Sequence, residues 1–276
     1  MSHQNSTTRA KRQRAQTVDK ALRVLDTVAE SEKPMNLTTL VTETGFEKTT
    51  THRLARSLAD GGLLRFDPES RCYTLGWRLI ELGELASQRT KVLGVADPHL
   101  NRLRDETGET IHLGAYDDNG QVVYLAQKSS SEAVVVRARI GQRRPLHATA
   151  MGKVLLAFGP DEWLLRLLKE PEIEAFTANT ITEKEELQAH LRRIHRLGFA
   201  IDDEEMAQGI RCVAAPILDY TGQAVAAISV TGPTFRVSRS DLDRLTAQVV
   251  SAAGMVSSEL GYLARKGESD ETHRAQ

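Results

Sequence analysis

Only two cysteines, Cys72 and Cys212, occur in the 276 residues. They stand far apart and in segments of different character, which argues against a structural disulfide and fits a reducing cytoplasm. CxxC spacing is absent, so no zinc site is expected, and neither a metal nor a cofactor enters the reading. Aromatic residues make up 5% of the chain, leaving few stacking platforms. No apolar run approaches the roughly 20 residues of a membrane span, and no charged start leads into a signal-like apolar stretch. Neither sign of charge dominates, for the formal net charge is −1. With 40% hydrophobic and 26% charged residues, the composition is that of a soluble globular protein long enough for two domains.

The near-neutral total hides an asymmetry. Residues 1–75 hold 12 Lys+Arg against 9 Asp+Glu, while the remainder holds 24 against 28. Arg9, Lys11, Arg12 and Arg14 precede the first acid, in a tail with little to bury. Two readings stay open for residues 1–16: a solubilising terminus, or an arm reaching DNA phosphates or the minor groove.

Helical periodicity begins at Val18, with Ala21, Leu22, Leu25, Val28 and Ala29 completing one stripe. Asn36 is placed to cap a short helix that Gly45 stops. A second helix follows from Lys48 to Asp60, then Gly61 and Gly62. Short strands Leu63–Phe66 and Cys72–Leu75 flank a turn at Asp67-Pro68-Glu69-Ser70. Helix, helix-turn-helix and hairpin form the order of a winged helix over residues 17–77. The second helix carries its meaning on its outer face. Leu54, Ala55 and Leu58 line one side, leaving Lys48, Thr49, Thr50, His52, Arg53 and Arg56 for the other. Hydroxyls reach phosphates or bases in a major groove, and arginine grips guanine with two hydrogen bonds. Arg65 and Arg71 fall on the wing.

From Trp77 to Glu106 the helical pattern returns, with a break expected at Asp97-Pro98. Residues 78–92 read as a linker helix whose apolar stripe pairs with a second chain or packs on its own domain. Over 93–264 the chain is expected to form an α+β domain. Its strands are Thr110–Tyr116, Gln121–Gln127, Val134–Ile140, Phe199–Ile201, Ile210–Leu218 and Ala224–Val230. Its helices are Met151–Phe158, Asp161–Lys169, one opened by a Thr182/Glu185 capping box, and Ser240–Tyr262. A polar tail, 265–276, ends the chain.

Three segments, KTTTHRLARSLADGGLL, PLHATAMGKVLLAF and EEMAQGIRCVAAPILDYTGQAVAAISVTGP, together resemble the IclR family of bacterial transcription regulators. Their order and spacing extend the likeness over residues 17–262. The resemblance implies an N-terminal winged helix-turn-helix and a C-terminal effector-binding domain with an antiparallel GAF/PAS-like sheet. It further implies a cytoplasmic dimer, or dimer of dimers, on a pseudo-palindromic double-stranded DNA operator. Ala150, Met151, Asp202, Ile210, Cys212, Ser229 and Thr231 are carried over as effector-binding, with Ala133 and Val136 as an apolar wall.

The chemistry of these residues agrees with such a role. A helix starting near Ala150 offers free N–H groups to a carboxylate. Ser229 and Thr231, two apart on one strand, face the same way with hydroxyl donors, and Asp202 accepts from ligand hydroxyls. The set describes a small carboxylate effector, a sugar acid or small hydroxy acid in preference to an aromatic acid. The resemblance implies repression of a catabolic operon that the acid relieves, with an activator as the alternative sign. A competing reading makes the chain an enzyme with Cys212 as nucleophile and His112 or His147 as base, though nothing orients that base. Otherwise His112 reads as a satisfied core histidine and His147 as structural. A third reading is a DNA-binding architectural protein without ligand.

Overall fold

In the computed structural model, which describes residues 16–89 and 91–263, the first periodic stripe becomes helix α1 (Gln16–Glu30). Its buried edge is rotated from the expected one. Val24 and Val28 are in the core, with Ala21 and Leu25 against them, whereas Val18, Leu22 and Ala29 stay exposed. A two-residue strand, β1 (Met35–Asn36), leads into α2 (Leu37–Thr44). The Asn36 side chain accepts from the Thr39 N–H at 3.0 Å, and Gly45 ends the helix at φ 68°, a left-handed conformation that glycine adopts without strain. Then come α3 (Lys48–Asp60), β2 (Leu64–Asp67) and β3 (Cys72–Leu75). The strands form a sheet of order β1-β3-β2, in which β1 is an addition to the expected hairpin. A two-residue strand has no periodicity to read. Val24, Val28, Leu40, Leu54, Leu58, Leu64 and Tyr73 make one core, and each fully buried aliphatic side chain contributes about 1.5–3 kcal/mol.

The contact pattern divides the chain after Arg89, between α4 (Arg78–Arg89) and α5 (Lys91–Thr107). The break expected at Asp97-Pro98 is not found, and α5 runs through Pro98. Val92, Ala96, Leu100 and Leu103 are buried on both sides of the proline, so packing outweighs the local preference.

The second unit is built on six antiparallel strands: β4 (Thr110–Tyr116), β5 (Val122–Lys128), β6 (Arg143–Arg144), β7 (Ala200–Asp203), β8 (Ile210–Leu218) and β9 (Ala224–Pro233), in the order β6-β5-β4-β9-β8-β7. Helices α5 and α9 (Leu242–Glu259) cover one face, against Ile111, Leu113, Val213, Ile217, Ile228 and Val230. Helices α6 (Ala150–Phe158) and α8 (Lys184–Leu197) cover the other, with the short α7 (Asp161–Leu168) beside them. This is the α+β plan expected.

Two local expectations fail. Val134–Ile140 is no strand; its amides bond to side chains, Ala138 N–H to Gln127 Oε1 at 2.8 Å and Arg139 N–H to Gln142 Oε1 at 3.0 Å. The edge position goes to Arg143–Arg144, paired with Val122 and Val123. The Thr182 capping box is also absent. Helix α8 starts at Lys184 behind Glu183, which makes no side-chain cap bond. The basic tail with Arg9, Lys11, Arg12 and Arg14, and the polar tail after Lys266, lie outside the described residues.

Candidate functional site

Two sites emerge, one in each unit. In the first, α3 buries Thr51, Leu54, Ala55 and Leu58 at 3–4 residue spacing. Thr51 is the threonine turned inward, its hydroxyl donating to Glu47 O at 3.1 Å. The opposite face therefore keeps Lys48, Thr49, His52, Arg53 and Arg56 exposed and Thr50 half-buried. None of the exposed cations among them enters an ion pair within the described residues, so the face is free to meet phosphates or base edges. On the wing, Asp67 accepts from the Glu69 and Ser70 amides and thereby shapes the turn. Arg71 sits at its end with φ 53°. Arg65 is exposed and lies over the Trp77 ring, 5.7 Å from its centroid.

The second site follows from strand parity. On β4, β8 and β9 every other side chain turns toward α5 and α9, and the alternates turn toward α6. Register then aligns the alternates across the sheet. Asp202 faces Cys212, and Cys212 faces Thr231 in one row; Ala214 faces Ser229, and Ser229 faces His112 in the next. Over these rows lies the start of α6. Thr149 caps it, accepting from Gly152 N–H at 3.1 Å, so the amides of Ala150 and Met151 are left without intrahelical acceptors. Gly152 lets the preceding loop fold back against α6, because a Cβ there would lie 2.2 Å from the Leu146 carbonyl oxygen.

Between helix and rows is a cavity of about 100 Å³. Its walls include Val136, Ala150, Met151, Asp202, Ile210, Cys212, Ser229 and Thr231, eight of the nine residues expected. Ala133 is the correction: it is exposed and does not line the cavity, because its segment is an irregular loop rather than a strand with fixed parity. His112, Tyr124, Arg137, Arg144, Thr149 and Met206 also line the cavity. Period-2 patterning held a signal for His112, which falls on the same parity as Gly114, the face opposite Ile111 and Leu113. A larger hollow of about 220 Å³ lies between α5 and α9, on the other side of the sheet and away from these polar rows.

His112 is buried but not satisfied. Its Nδ1 is 3.3 Å from Thr231 Oγ1, while Nε2 has no partner among the described residues. Burial holds its pKa down to about 4, against a small upward pull from Gln127, so the ring is neutral. It stacks on Tyr124, with centroids 5.0 Å apart. Asp202 accepts at Oδ1 from the Glu205 amide at 2.8 Å and the Met206 amide at 3.3 Å. Burial pushes its carboxyl up to about 7, although Lys153 and these amides pull it down. Behind the cavity Lys153 is fully buried, donating to Ile201 O at 2.6 Å and pairing with Glu205.

Burial also drives the Cys212 thiol well above its ordinary value, helped by Asp202. A neutral thiol beside a neutral histidine is a poor nucleophile. His147 stands apart, bonded to Glu174 O at 2.8 Å and stacked on Phe176. The geometry thus gives a partly open pocket with a few polar side chains set among apolar walls, in which neither Cys212 nor His112 is activated for nucleophilic chemistry.

Comparison with known proteins agrees. Residues 17–68 match the family described as the IclR helix-turn-helix domain, and residues 85–258 match the bacterial transcriptional regulator IclR C-terminal family. The HTH-type transcriptional regulator XynR of Escherichia coli is 34% identical, over 90% of this chain and 98% of that protein. The transcriptional repressor IclR of the same organism is 30% identical, over 89% and 90%. Among solved structures, an IclR homolog from Microbacterium hydrocarbonoxydans complexed with 4-hydroxybenzoate superposes with a TM-score of 0.78 at 26% identity, covering 88% of this chain and 98% of that one.

Proposed function

This chain belongs to the IclR family of DNA-binding transcriptional regulators, and from that premise we propose that it is a cytoplasmic repressor whose grip on its operator is controlled by a small organic acid. The observation that carries this reading is the cavity where the first amides of α6 meet Asp202, Cys212, Ser229 and Thr231. Helix N-terminal amides favour a carboxylate, and the hydroxyls and Asp202 favour ligand hydroxyls. At about 100 Å³ the space is well below the roughly 300–1,000 Å³ of pockets for drug-sized ligands. A sugar acid or a smaller hydroxy acid is the class proposed. The relative bound to 4-hydroxybenzoate lends support to an acid ligand and keeps aromatic acids in the test panel. Release from DNA requires the acid to bind one arrangement of the protein better than another.

The DNA side of the proposal rests on the exposed face of α3. Arg53 and Arg56 read or anchor bases, Lys48, Thr49, Thr50 and His52 meet groove and phosphates, and Arg65 and Arg71 reach along the wing. A repressor sign is supported by the relative named as a repressor. The test is a gel shift against the DNA flanking the gene at fixed salt. Arg53→Ala is expected to lose on the order of 1–3 kcal/mol of operator affinity while binding acid as the wild type does. Full operator affinity in that variant would remove α3 as the reading helix. An acid that tightens the complex, rather than releasing it, would make the protein a corepressor-dependent regulator or an activator.

A further inference from the structure

Four arginines of the second unit are not exposed among the described residues: Arg104, Arg144, Arg211 and Arg236. Arg104 pairs with Asp105, Arg211 with Asp203 and Arg236 with Glu109. Arg144 pairs with no carboxylate among the described residues. It stands on β6, at one edge of the sheet, and lines the cavity beside Tyr124. Burial raises the Tyr124 hydroxyl pKa; the Cys212 thiol reinforces this, and Arg144 pulls the other way. Asp202 lines the same cavity but makes no ion pair with Arg144 and accepts instead from the Glu205 and Met206 amides, and Glu205 is engaged by Lys153.

A guanidinium partly withdrawn from water, as the half-buried Arg144 is, loses some solvation that an ion pair ordinarily offsets. The other three arginines have that offset within the protein. We propose that Arg144 is the charge-reading residue of the pocket, with its guanidinium taking a carboxylate of the effector in a bidentate pair. This rests on the reading of the cavity as an organic-acid site, and it adds what backbone amides alone lack: a full positive charge that separates an acid from its neutral analogue. The unpartnered Nε2 of His112 in the same cavity wall is a second sign that the occupant is polar. A neutral imidazole there reads an uncharged group and leaves the charge to Arg144.

The test uses the full chain as wild type, Arg144→Gln and Arg144→Lys. Each is titrated calorimetrically with D-gluconate, L-lactate and 4-hydroxybenzoate and with the corresponding neutral amides. For any acid that binds the wild type, Arg144→Gln is expected to weaken it about 30-fold or more. Its amide should bind as before, and Arg144→Lys should recover part of the acid's affinity, since lysine keeps the charge without the planar fork. If Arg144→Gln melts too early to titrate, Arg144→Lys decides, by whether the acid alone weakens. Undiminished acid affinity in Arg144→Gln, or equal weakening of acid and amide, overturns the assignment while the organic-acid reading stands. Failure of every acid to bind the wild type removes that reading, and this inference with it.

Discussion

At Asp202 a single carboxyl joins the ligand cavity to the stability of the fold. Its pKa in the folded chain is about 7, against about 3.9 for an ordinary aspartate, and burial is the largest cause. The folded state therefore holds this proton more tightly than the unfolded one does. The resulting stabilisation is full below about pH 4 and is lost as pH rises through about 7. Asp202→Asn keeps an acceptor for the Glu205 and Met206 amides but cannot ionise. Its stability relative to wild type should accordingly rise between about pH 4 and 7, by on the order of 2–4 kcal/mol. Melting curves of both proteins across that range measure the difference; a pH-independent gap would mean that Asp202 ionises freely. Cys212 lies beside this group, and its raised thiol pKa suits a cavity wall rather than a nucleophile.

At the level of elements, α6 matters most. Its first turn faces the cavity, and one turn later Lys153 reaches behind it to Glu205 and the Ile201 carbonyl. The loop between β7 and β8 is thereby tied to the helix that borders the ligand. Asp202, Met206, Ala207 and Ile210, on or beside that loop, also line the cavity. Lys153→Met removes the cation and leaves Glu205 buried, with one oxygen already unpartnered. A loss of about 3–5 kcal/mol is expected, as for other buried pairs broken on one side. Adding Glu205→Gln to that variant should restore part of the loss. Urea unfolding of the full chain tests both, and an unchanged midpoint for Lys153→Met would show that the pair contributes little.

For the whole molecule, the exposed apolar residues of the first unit bear on self-association. Trp77 and Ile80 are 70% and 65% exposed, Leu82 and Leu85 are exposed beside them, and Val18 and Leu22 are exposed on α1. Pairing with a second copy through these residues would present two recognition helices to successive major grooves about 34 Å apart. Under such pairing, Ile80→Asp is expected to shift the protein toward monomer in light scattering and to weaken operator binding more than half-site binding. A variant that remains dimeric would move the interface to the second unit. No described helix is long and apolar enough to cross a membrane.

Local signals in the chain determined the helix-turn-helix and most strands, because caps, glycine stops and apolar periods act within a few residues. Asn36, Gly45 and the 48–60 stripe carry their own reasons. The same locality explains the failures at Pro98, Val134–Ile140 and Thr182, where packing or side-chain bonds outweighed short-range preference. Eight of the cavity residues were legible through family motifs, but their meeting was not. Only the register of β7, β8, β9 and β4 brings Asp202, Cys212, Thr231, Ser229 and His112 into adjoining rows. That Arg144 has no carboxylate partner among the described residues was equally invisible, since whether a half-buried charge is paired depends on residues distant in sequence that the fold alone brings near.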